Sequence, residues 1–406
     1  MNKTTKTSYR WFLLAVAVLA MLVSGIIYAW SILKVPLAED FKWTASQLSL
    51  NFTLTMCFFC LGGLLGSFLS RKIGVKLSTV VSAVLAGSGM ALTGFLSGSN
   101  IFILYVTYAL MAGLGIGIAY NVVISTVNAW FPDKKGLCTG CLMMGFGASS
   151  LILGNLADSL FKSNLDRKGT YIVLGLALLI ILLIASIFIK KPDENMIFPT
   201  PKKKKNSFAE DFEQKDYSAK DMLKRFTFWR AFILLCFATA VGNSVISFAR
   251  DLALSVGAEV ALATTLVGVL AVCNGLGRIL TGAMFDALGR KMTMLIATIL
   301  TIVAAGTTLL SVMITSLPLC IVGLCLTGLS YGSCPTMVSS FTMAFYGQKH
   351  FATNFSIMNC NLLFASFIAT ACSSLQTTFA GYTVPFILLL GLAVIALILN
   401  LSIKRP

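Results

Sequence analysis

Charged residues are scarce in this chain: they make up 11% of its 406 residues, whereas soluble globular proteins carry about 25%. Hydrophobic residues make up 57%, and the mean hydropathy is +0.88. There is a single histidine, His350, and the eleven cysteines lie in or beside apolar stretches. These shortages exclude a soluble globular protein and a small domain held by disulfides. The composition indicates an integral membrane protein.

The residue patterns of enzymes and metal sites are also missing. We find no nucleophile–base pair, no metal-ligand cluster and no phosphate-binding loop, so we expect neither an enzyme nor a cofactor. Two C-x-x-C pairs occur, Cys57/Cys60 and Cys138/Cys141. They fall at different depths of the predicted spans, which argues against one shared metal site and favours ordinary packing.

What the chain does contain is a series of apolar stretches long enough to cross a bilayer as helices. The first is too long for a signal-peptide core and is predicted to be a retained helix. An even number of spans places both termini on one side. The twelve predicted spans are Trp11–Leu33, Leu48–Leu69, Leu77–Leu96, Ile103–Ser125, Leu137–Phe161, Tyr171–Ile189, Phe228–Phe248, Ala261–Phe285, Met292–Thr315, Pro318–Phe341, Phe355–Leu375 and Val384–Ile403.

The residues that give the net charge of +16 are concentrated in the loops of one side of the predicted membrane protein. Of the 31 Lys and Arg residues, 24 lie at the termini, in even-numbered loops or, for Arg230, at the adjoining end of a span; six lie in odd-numbered loops, and one, Arg278, lies deep within a span. Positively charged loops stay on the cytoplasmic side. We therefore predict a cell-membrane protein with cytoplasmic termini, and we attribute its basicity to topology, not to nucleic-acid binding.

The spans form two related halves. We predict an N-terminal half at 1–189, a polar linker at 190–227 and a C-terminal half at 228–406. Within the linker, the run "PKKKK" at 201–205 suits a position beside anionic lipid headgroups. Ser218 and Asp221 have capping-box spacing for a short helix. A constant offset of 215 residues aligns Gly113–Lys134 with Gly328–Lys349 and also Gly74 with Gly289. Such a parallel repeat of six spans is typical of one transporter architecture.

Several motifs carry a family resemblance. The segment "GAMFDALGRK" (282–291) resembles the signature loop G-x-x-x-D-x-x-G-R-K of the major facilitator superfamily. "GIIYAWSILKVPL" (25–37), "WFPDKKGLCTG" (130–140) and "NGLGR" (274–278) resemble the oxalate/formate antiporter family, and "FARD" (248–251) resembles its monocarboxylate transporter relatives. The resemblance implies an all-α membrane protein of twelve helices in two pseudo-symmetric halves.

The signature loop implies a gate. In the superfamily the acid of this loop faces the positive N-terminus of a helix in the opposite half, so we expect Asp286 near Gly136. Gly289, Arg290 and Lys291 complete the motif. The first-half copy has Arg71 where the acid belongs, and we expect its latch to be weak or built differently.

Arg278 is the principal binding candidate. A charge within a span costs about 2.5–3.5 kcal/mol, and no acid lies clearly within a span to neutralise it. A guanidinium binds a carboxylate through two hydrogen bonds; the alternative is a structural arginine bonded to backbone carbonyls. In the resembling families an arginine of the eighth helix binds the substrate carboxylate.

Two differences from those families narrow the range of possible substrates. The oxalate exchanger has a lysine in helix eleven that binds the second carboxylate of its substrate. This chain has Leu362 there, with Asn359 and Asn361 nearby. Because Arg278 is then the one cation available, a monocarboxylate is favoured. Proton-coupled monocarboxylate transporters have an aspartate one turn before the arginine, where this chain has Asn274, which cannot titrate. Other lining candidates are polar or aromatic residues in four spans. They are Tyr28, Trp30, Tyr120, Asn121, Asn243 and Tyr331.

Together these features predict a secondary transporter that moves a small organic anion such as formate, lactate or pyruvate by alternating access. It would act as an antiporter or a symporter, embedded in the lipid bilayer and functional as a monomer. One alternative is a dicarboxylate exchanger of the same fold, in which the asparagines replace the missing lysine. Another is a membrane sensor that binds the anion without transporting it.

Overall fold

The computed structural model describes residues 3–98, 100–163, 165–193 and 215–404, and these residues contain helices and no strand. The run "PKKKK" at 201–205, expected beside lipid headgroups, lies outside them. A 3-10 turn, Gly25–Ala29, joins the first two α-helices, and a π-helix, Tyr105–Gly113, joins the fifth to the sixth. The α-helices are α1 (Lys3–Ser24), α2 (Trp30–Phe41), α3 (Ala45–Lys72), α4 (Gly74–Thr93), α5 (Ile101–Leu104), α6 (Leu114–Asn128), α7 (Lys135–Phe161), α8 (Asp166–Phe188), α9 (Ala219–Leu223), α10 (Phe226–Ser255), α11 (Val260–Met313), α12 (Leu317–Tyr346), α13 (Phe351–Asn359), α14 (Asn361–Thr378) and α15 (Thr383–Ser402).

The membrane spans follow from these helices. Eleven helical stretches in the described part of the chain are long and apolar enough to cross a membrane. The longest, α11, is interrupted at Gly289, whose φ of 76° is non-helical. Glycine adopts positive φ without steric cost, so α11 consists of two helices, 260–288 and 290–313. Twelve spans result, and the predicted fold class is confirmed.

The 215-residue repeat is visible in the packing. Gly74, 215 residues before Gly289, also has a positive φ, of 82°, and separates α3 from α4. A Cβ on Gly117 would lie 2.1 Å from the carbonyl oxygen of Phe59, and one on Gly332 would lie 2.1 Å from that of Asn274. Both partners are again 215 residues apart. Small residues at such crossings let helix backbones approach closely, and each half uses the same crossing.

The described residues group into two compact units. Unit 1 lies within Met1–Asp133 and Gly145–Thr200, and unit 2 lies within Lys134–Met144 and Pro201–Pro406. The predicted boundary at 189/190 separates most of the same helices. The difference concerns 134–144, which includes the first turns of α7 and groups with unit 2.

In unit 1 a buried ion pair ties α1 to the loop that precedes α7. The Arg10 guanidinium donates to both carboxylate oxygens of Asp133, at 2.6 and 3.2 Å, and the two side chains are only 6% and 10% exposed. Its Cζ also lies 5.0 Å from the ring centroid of Phe131. Because a charge left alone there would be costly, this pair fixes the position of Asp133, the last residue of unit 1 before α7.

Unit 2 is built around an apolar core shared by α10, α11, α12 and α15. Leu252, Leu266, Leu324 and Leu389 are among its buried side chains. The predicted short helix of the linker is present as α9, with the Ser218 hydroxyl accepting the Asp221 N–H at 3.3 Å. It brings the chain to the start of α10.

Candidate functional site

Arg278 lies on α11 in unit 2 and is 3% exposed. Its Nε donates to Asn274 Oδ1 at 3.2 Å, one helical turn earlier, and its Nη1 donates to the carbonyl oxygen of Met143. Both acceptors are neutral. No carboxylate among the described residues forms an ion pair with it. The side chain therefore keeps its full positive charge in a buried position.

The donors of Arg278 are only partly used. A guanidinium has five N–H groups, and the two bonds above engage Nε and one N–H of Nη1. Within the described residues Nη2 makes no hydrogen bond. One edge of the fork, formed by Nη2 and the second N–H of Nη1, thus has the geometry for a carboxylate. Asn274 and Met143 orient the guanidinium plane without neutralising it.

The backbone around Arg278 is held by close helix contacts. The Thr336 hydroxyl donates to the Arg278 carbonyl oxygen at 3.2 Å. A Cβ on Gly140 would lie 2.6 Å from that same oxygen. Helix α7 therefore approaches α11 at the level of Arg278, which explains how the Met143 carbonyl comes within reach.

The other candidates of unit 2 have different surroundings. The Asn361 amide donates to the Leu235 carbonyl at 3.3 Å and to the Thr239 hydroxyl at 3.0 Å, so it is bound to α10. Tyr331 is buried and packs directly on Gly242, where a Cβ would lie 2.5 Å from it. Asn359 is buried and Asn243 is partly buried. Among the described residues, the candidate of unit 2 that accepts a hydrogen bond from Arg278 is Asn274.

In unit 1 an aromatic cluster contains two of the candidates. The Tyr28 and Tyr120 rings both contact Phe146, with centroids 5.3 and 4.9 Å away, and Tyr120 also contacts Phe59 at 5.0 Å. Sequence reasoning missed both phenylalanines. The repeat offered a signal for Phe59, because it aligns this residue with Asn274.

Trp30 and Asn121 are the other two candidates of unit 1. The Trp30 indole N–H donates to the Leu48 carbonyl at 3.1 Å, and its ring contacts Tyr108 at 4.6 Å. Asn121 is buried on α6. The structure brings Tyr28 and Tyr120 together and places Trp30 in a different contact.

The predicted contact of Asp286 is present. Its two carboxylate oxygens accept the backbone N–H groups of Gly136 and Leu137, each at 2.8 Å. These are orphan donors of the first turn of α7, and the helix dipole favours a negative charge there. Gly282 allows this approach, since a Cβ on it would lie 2.2 Å from the Gly136 carbonyl oxygen. All these residues belong to unit 2.

The remaining gating candidates are arranged around this contact and its repeat counterpart. Gly289 interrupts α11, the Arg290 guanidinium lies 4.6 Å from the ring centroid of Phe345, and Lys291 is exposed. In unit 1, Arg71 Nε donates to the Ser67 carbonyl of its own helix at 3.1 Å. Their gating roles remain predictions.

A row of contacts along the first turns of α7 was not foreseen. Gly136 meets Gly282, Thr139 Oγ1 lies 3.4 Å from Ser339 Oγ, and Gly140 meets Arg278. The signal was available as the G-x-x-x-G spacing of Gly136 and Gly140, which lets helices approach closely. The candidate binding residue and the candidate gate thus contact the same helix segment, 136–143.

Comparison with known proteins assigns the family. The Major Facilitator Superfamily model matches residues 12–359 and 232–406. The chain is 24% identical over 355 residues to the uncharacterized MFS-type transporter YhjX of Escherichia coli, covering 86% of this chain and 84% of YhjX. It is 28% identical over 291 residues to the oxalate:formate antiporter of Oxalobacter formigenes, covering 70% of this chain and 65% of the antiporter.

A third relative and a solved structure agree with this assignment. Monocarboxylate transporter 12-B of Danio rerio is 32% identical over 138 residues, which are 34% of this chain and 28% of that protein. The solved structure of the proton:xylose symporter XylE matches with a TM-score of 0.74 at 14% identity, covering 98% of this chain and 97% of XylE. At that identity the likeness shows the fold alone. With twelve spans, an internal repeat and a family match over most of its length, this chain belongs to the major facilitator superfamily of transporters.

Proposed function

We propose that the chain is a secondary active transporter that moves a small monocarboxylate, such as formate, lactate or pyruvate, by alternating access. The observation that carries this proposal is Arg278, a buried guanidinium with two neutral acceptors and an unused donor edge. A carboxylate on that edge would complete an ion pair that the described residues do not supply. The named relatives include an oxalate:formate antiporter and a monocarboxylate transporter, which supports an anionic substrate.

A single charge on the substrate is favoured by the surroundings of Arg278. A dicarboxylate needs a second group for its second carboxylate. Asn361 is one of the two asparagines proposed from the sequence as a replacement, and its amide N–H groups are engaged by Leu235 and Thr239. Because one relative is an oxalate:formate antiporter, dicarboxylate exchange is the second candidate function. The exchange assay described below distinguishes monocarboxylate from dicarboxylate transport.

Asp286 supports the gating part of the proposal. Its carboxylate holds the first turn of α7, and residues 134–144 group with unit 2 while 145–161 group with unit 1. We propose that alternating access requires 134–144 to leave α11. The two hydrogen bonds to Asp286 and the one from Arg278 to Met143 then stabilise the conformation described here.

The test is counterflow exchange by the full chain in liposomes preloaded with formate, lactate, pyruvate, acetate or oxalate, one at a time. We expect exchange of at least one monocarboxylate and none of oxalate. Arg278→Gln removes two charge-assisted hydrogen bonds to the substrate, each worth about 1.5–3 kcal/mol, so exchange should fall about 100-fold or more. Arg278→Lys keeps the charge but not the fork, and should be intermediate.

Arg250→Gln is the matched control, because Arg250 is an arginine of the same unit whose side chain is 51% exposed. Undiminished exchange in Arg278→Gln would refute the role of Arg278. Exchange of oxalate alone would assign the dicarboxylate function. Specific binding of a monocarboxylate without exchange would support the sensor alternative. The cytoplasmic orientation of the termini, the monomeric state and the absence of nucleic-acid binding remain predictions.

A further inference from the structure

The segment that leads into α10 lines an open, charged cavity of about 420 Å³. Three cations, Lys215, Lys224 and Arg225, line it together with Tyr217, Asp216 and Asp221. The Tyr217 ring lies 5.4 Å from the Arg225 guanidinium carbon and 5.9 Å from Lys215 Nζ. The cavity belongs entirely to 215–225 and is separate from the surroundings of Arg278.

The two carboxylates of the cavity already have partners. Asp221 accepts a hydrogen bond from the Ser218 hydroxyl at 2.6 Å. This bond, with Lys224 and Arg225 nearby, holds the pKa of Asp221 below its ordinary value, so the residue stays ionised. Asp216 accepts the backbone N–H of Lys349 at 3.0 Å.

The cations, in contrast, form no close ion pair among the described residues. Within the described residues no carboxylate lies within ion-pair distance of Lys215, Lys224 or Arg225. The three cations outnumber the two carboxylates, which already accept other hydrogen bonds. The net positive charge of the cavity therefore suits an anion.

Apolar side chains beside the cavity indicate where the anion comes from. Leu223, Phe226 and Trp229 are 37%, 80% and 48% exposed, although Phe226 begins a membrane span. Tryptophan with exposed apolar neighbours at the end of a span is typical of the membrane–water interface. Basic residues next to such a span attract anionic lipids. A free phosphate compound would need the cations but no apolar surface.

We propose that 215–229 forms a binding site for the phosphate group of an anionic membrane lipid. Lys215, Lys224 and Arg225 contact the headgroup, while Phe226 and Trp229 lie among the acyl chains. Binding does not depend on the proposed transport function, so the two can fail separately.

The site is linked to the loop between α12 and α13. The Tyr217 N–H donates to the Tyr346 carbonyl at 3.0 Å, the Asn354 amide donates to the Tyr217 carbonyl at 2.9 Å, and Asp216 holds Lys349. The repeat aligns 347–350 with 132–135, the loop that leads into α7. A bound lipid thus stabilises the position of the second-half counterpart of the α7 loop.

The test is native mass spectrometry of the full chain with short-chain phosphatidylglycerol, phosphatidylcholine and glycerol 3-phosphate as separate probes. We expect phosphatidylglycerol to bind in preference to the other two. Each basic residue near the membrane contributes about fivefold to affinity. Lys224→Gln should therefore weaken binding about fivefold, and the Lys224→Gln/Arg225→Gln pair about 25-fold.

Lys220→Gln is the matched control, because Lys220 is an exposed lysine of α9 that does not line the cavity. Equal losses in Lys220→Gln and Lys224→Gln would overturn the proposal in favour of diffuse surface attraction. Equal binding of phosphatidylcholine would overturn the charge argument. Glycerol 3-phosphate binding as tightly as the lipid would assign the cavity to a soluble phosphate compound.

Discussion

Replacing Asn274 by aspartate tests the role of charge at Arg278 directly. Asn274 Oδ1 already accepts the Arg278 Nε–H at 3.2 Å, so a carboxylate at this position has nearly the same shape and lies within ion-pair distance. At 3.2 Å and an effective dielectric constant of about 20, the gross attraction is about 5 kcal/mol. The introduced carboxylate would compete with the substrate for Arg278.

The expected result is a transporter with strongly impaired exchange. The attraction to Arg278 keeps the introduced carboxylate ionised near neutral pH. Its pair with Arg278 is then neutral, and we expect monocarboxylate exchange to fall at least about tenfold relative to the unmodified chain.

The assay is counterflow in liposomes with the same neutral buffer on both sides. Asn274→Leu is the control, since it has a similar volume, removes the oxygen that orients Arg278 and introduces no charge. We expect it to lower exchange less than Asn274→Asp does, because Arg278 keeps an uncompensated charge. Equal exchange by Asn274→Asp and Asn274→Leu would refute the reasoning that Arg278 must stay unpaired.

Two further predictions concern the first turns of α7. Asp286→Asn removes the charge that caps this helix, which contributes about 1 kcal/mol at an exposed position. Hydrogen exchange at the Gly136 and Leu137 amides should therefore speed up about fivefold. Unchanged exchange rates would exclude a stabilising contact between Asp286 and α7, and Asp251→Asn is the exposed control. Gly282→Ala would place a Cβ 2.2 Å from the Gly136 carbonyl oxygen, whereas a Cβ on Gly268 of the same helix meets nothing within 4 Å. Gly282→Ala should therefore speed exchange at the same amides and Gly268→Ala should not, and equal rates in the two variants would contradict the close contact.

The membrane spans were predictable because hydropathy is a local property of the chain. Each span is visible as an apolar run, and the non-helical residue that separates two of them is a glycine within a recognisable motif. The contact of Asp286 with the start of α7 followed from that motif for a similar reason. A carboxylate and the orphan N–H groups of a helix start attract each other in any family member that keeps both.

The partners of buried polar side chains were not predictable in the same way. Asn361 and Trp30 carry N–H donors within apolar spans and were candidates for substrate contact, yet each donates to a backbone carbonyl of a neighbouring helix. In a region without water a buried donor takes the nearest acceptor. Which acceptor is nearest depends on how the helices are rotated about their axes.

The sequence by itself determined the class, the twelve spans, the repeat and the single cation within them, because composition and periodicity are sufficient for these. Only the tertiary structure decided that Arg278 is oriented by Asn274 and Met143, and that 134–144 packs with unit 2. Both depend on glycines that let α7 approach α11 to within backbone contact. Such an approach is set by the crossing of two helices distant in sequence, and it places a carbonyl oxygen beside a buried charge.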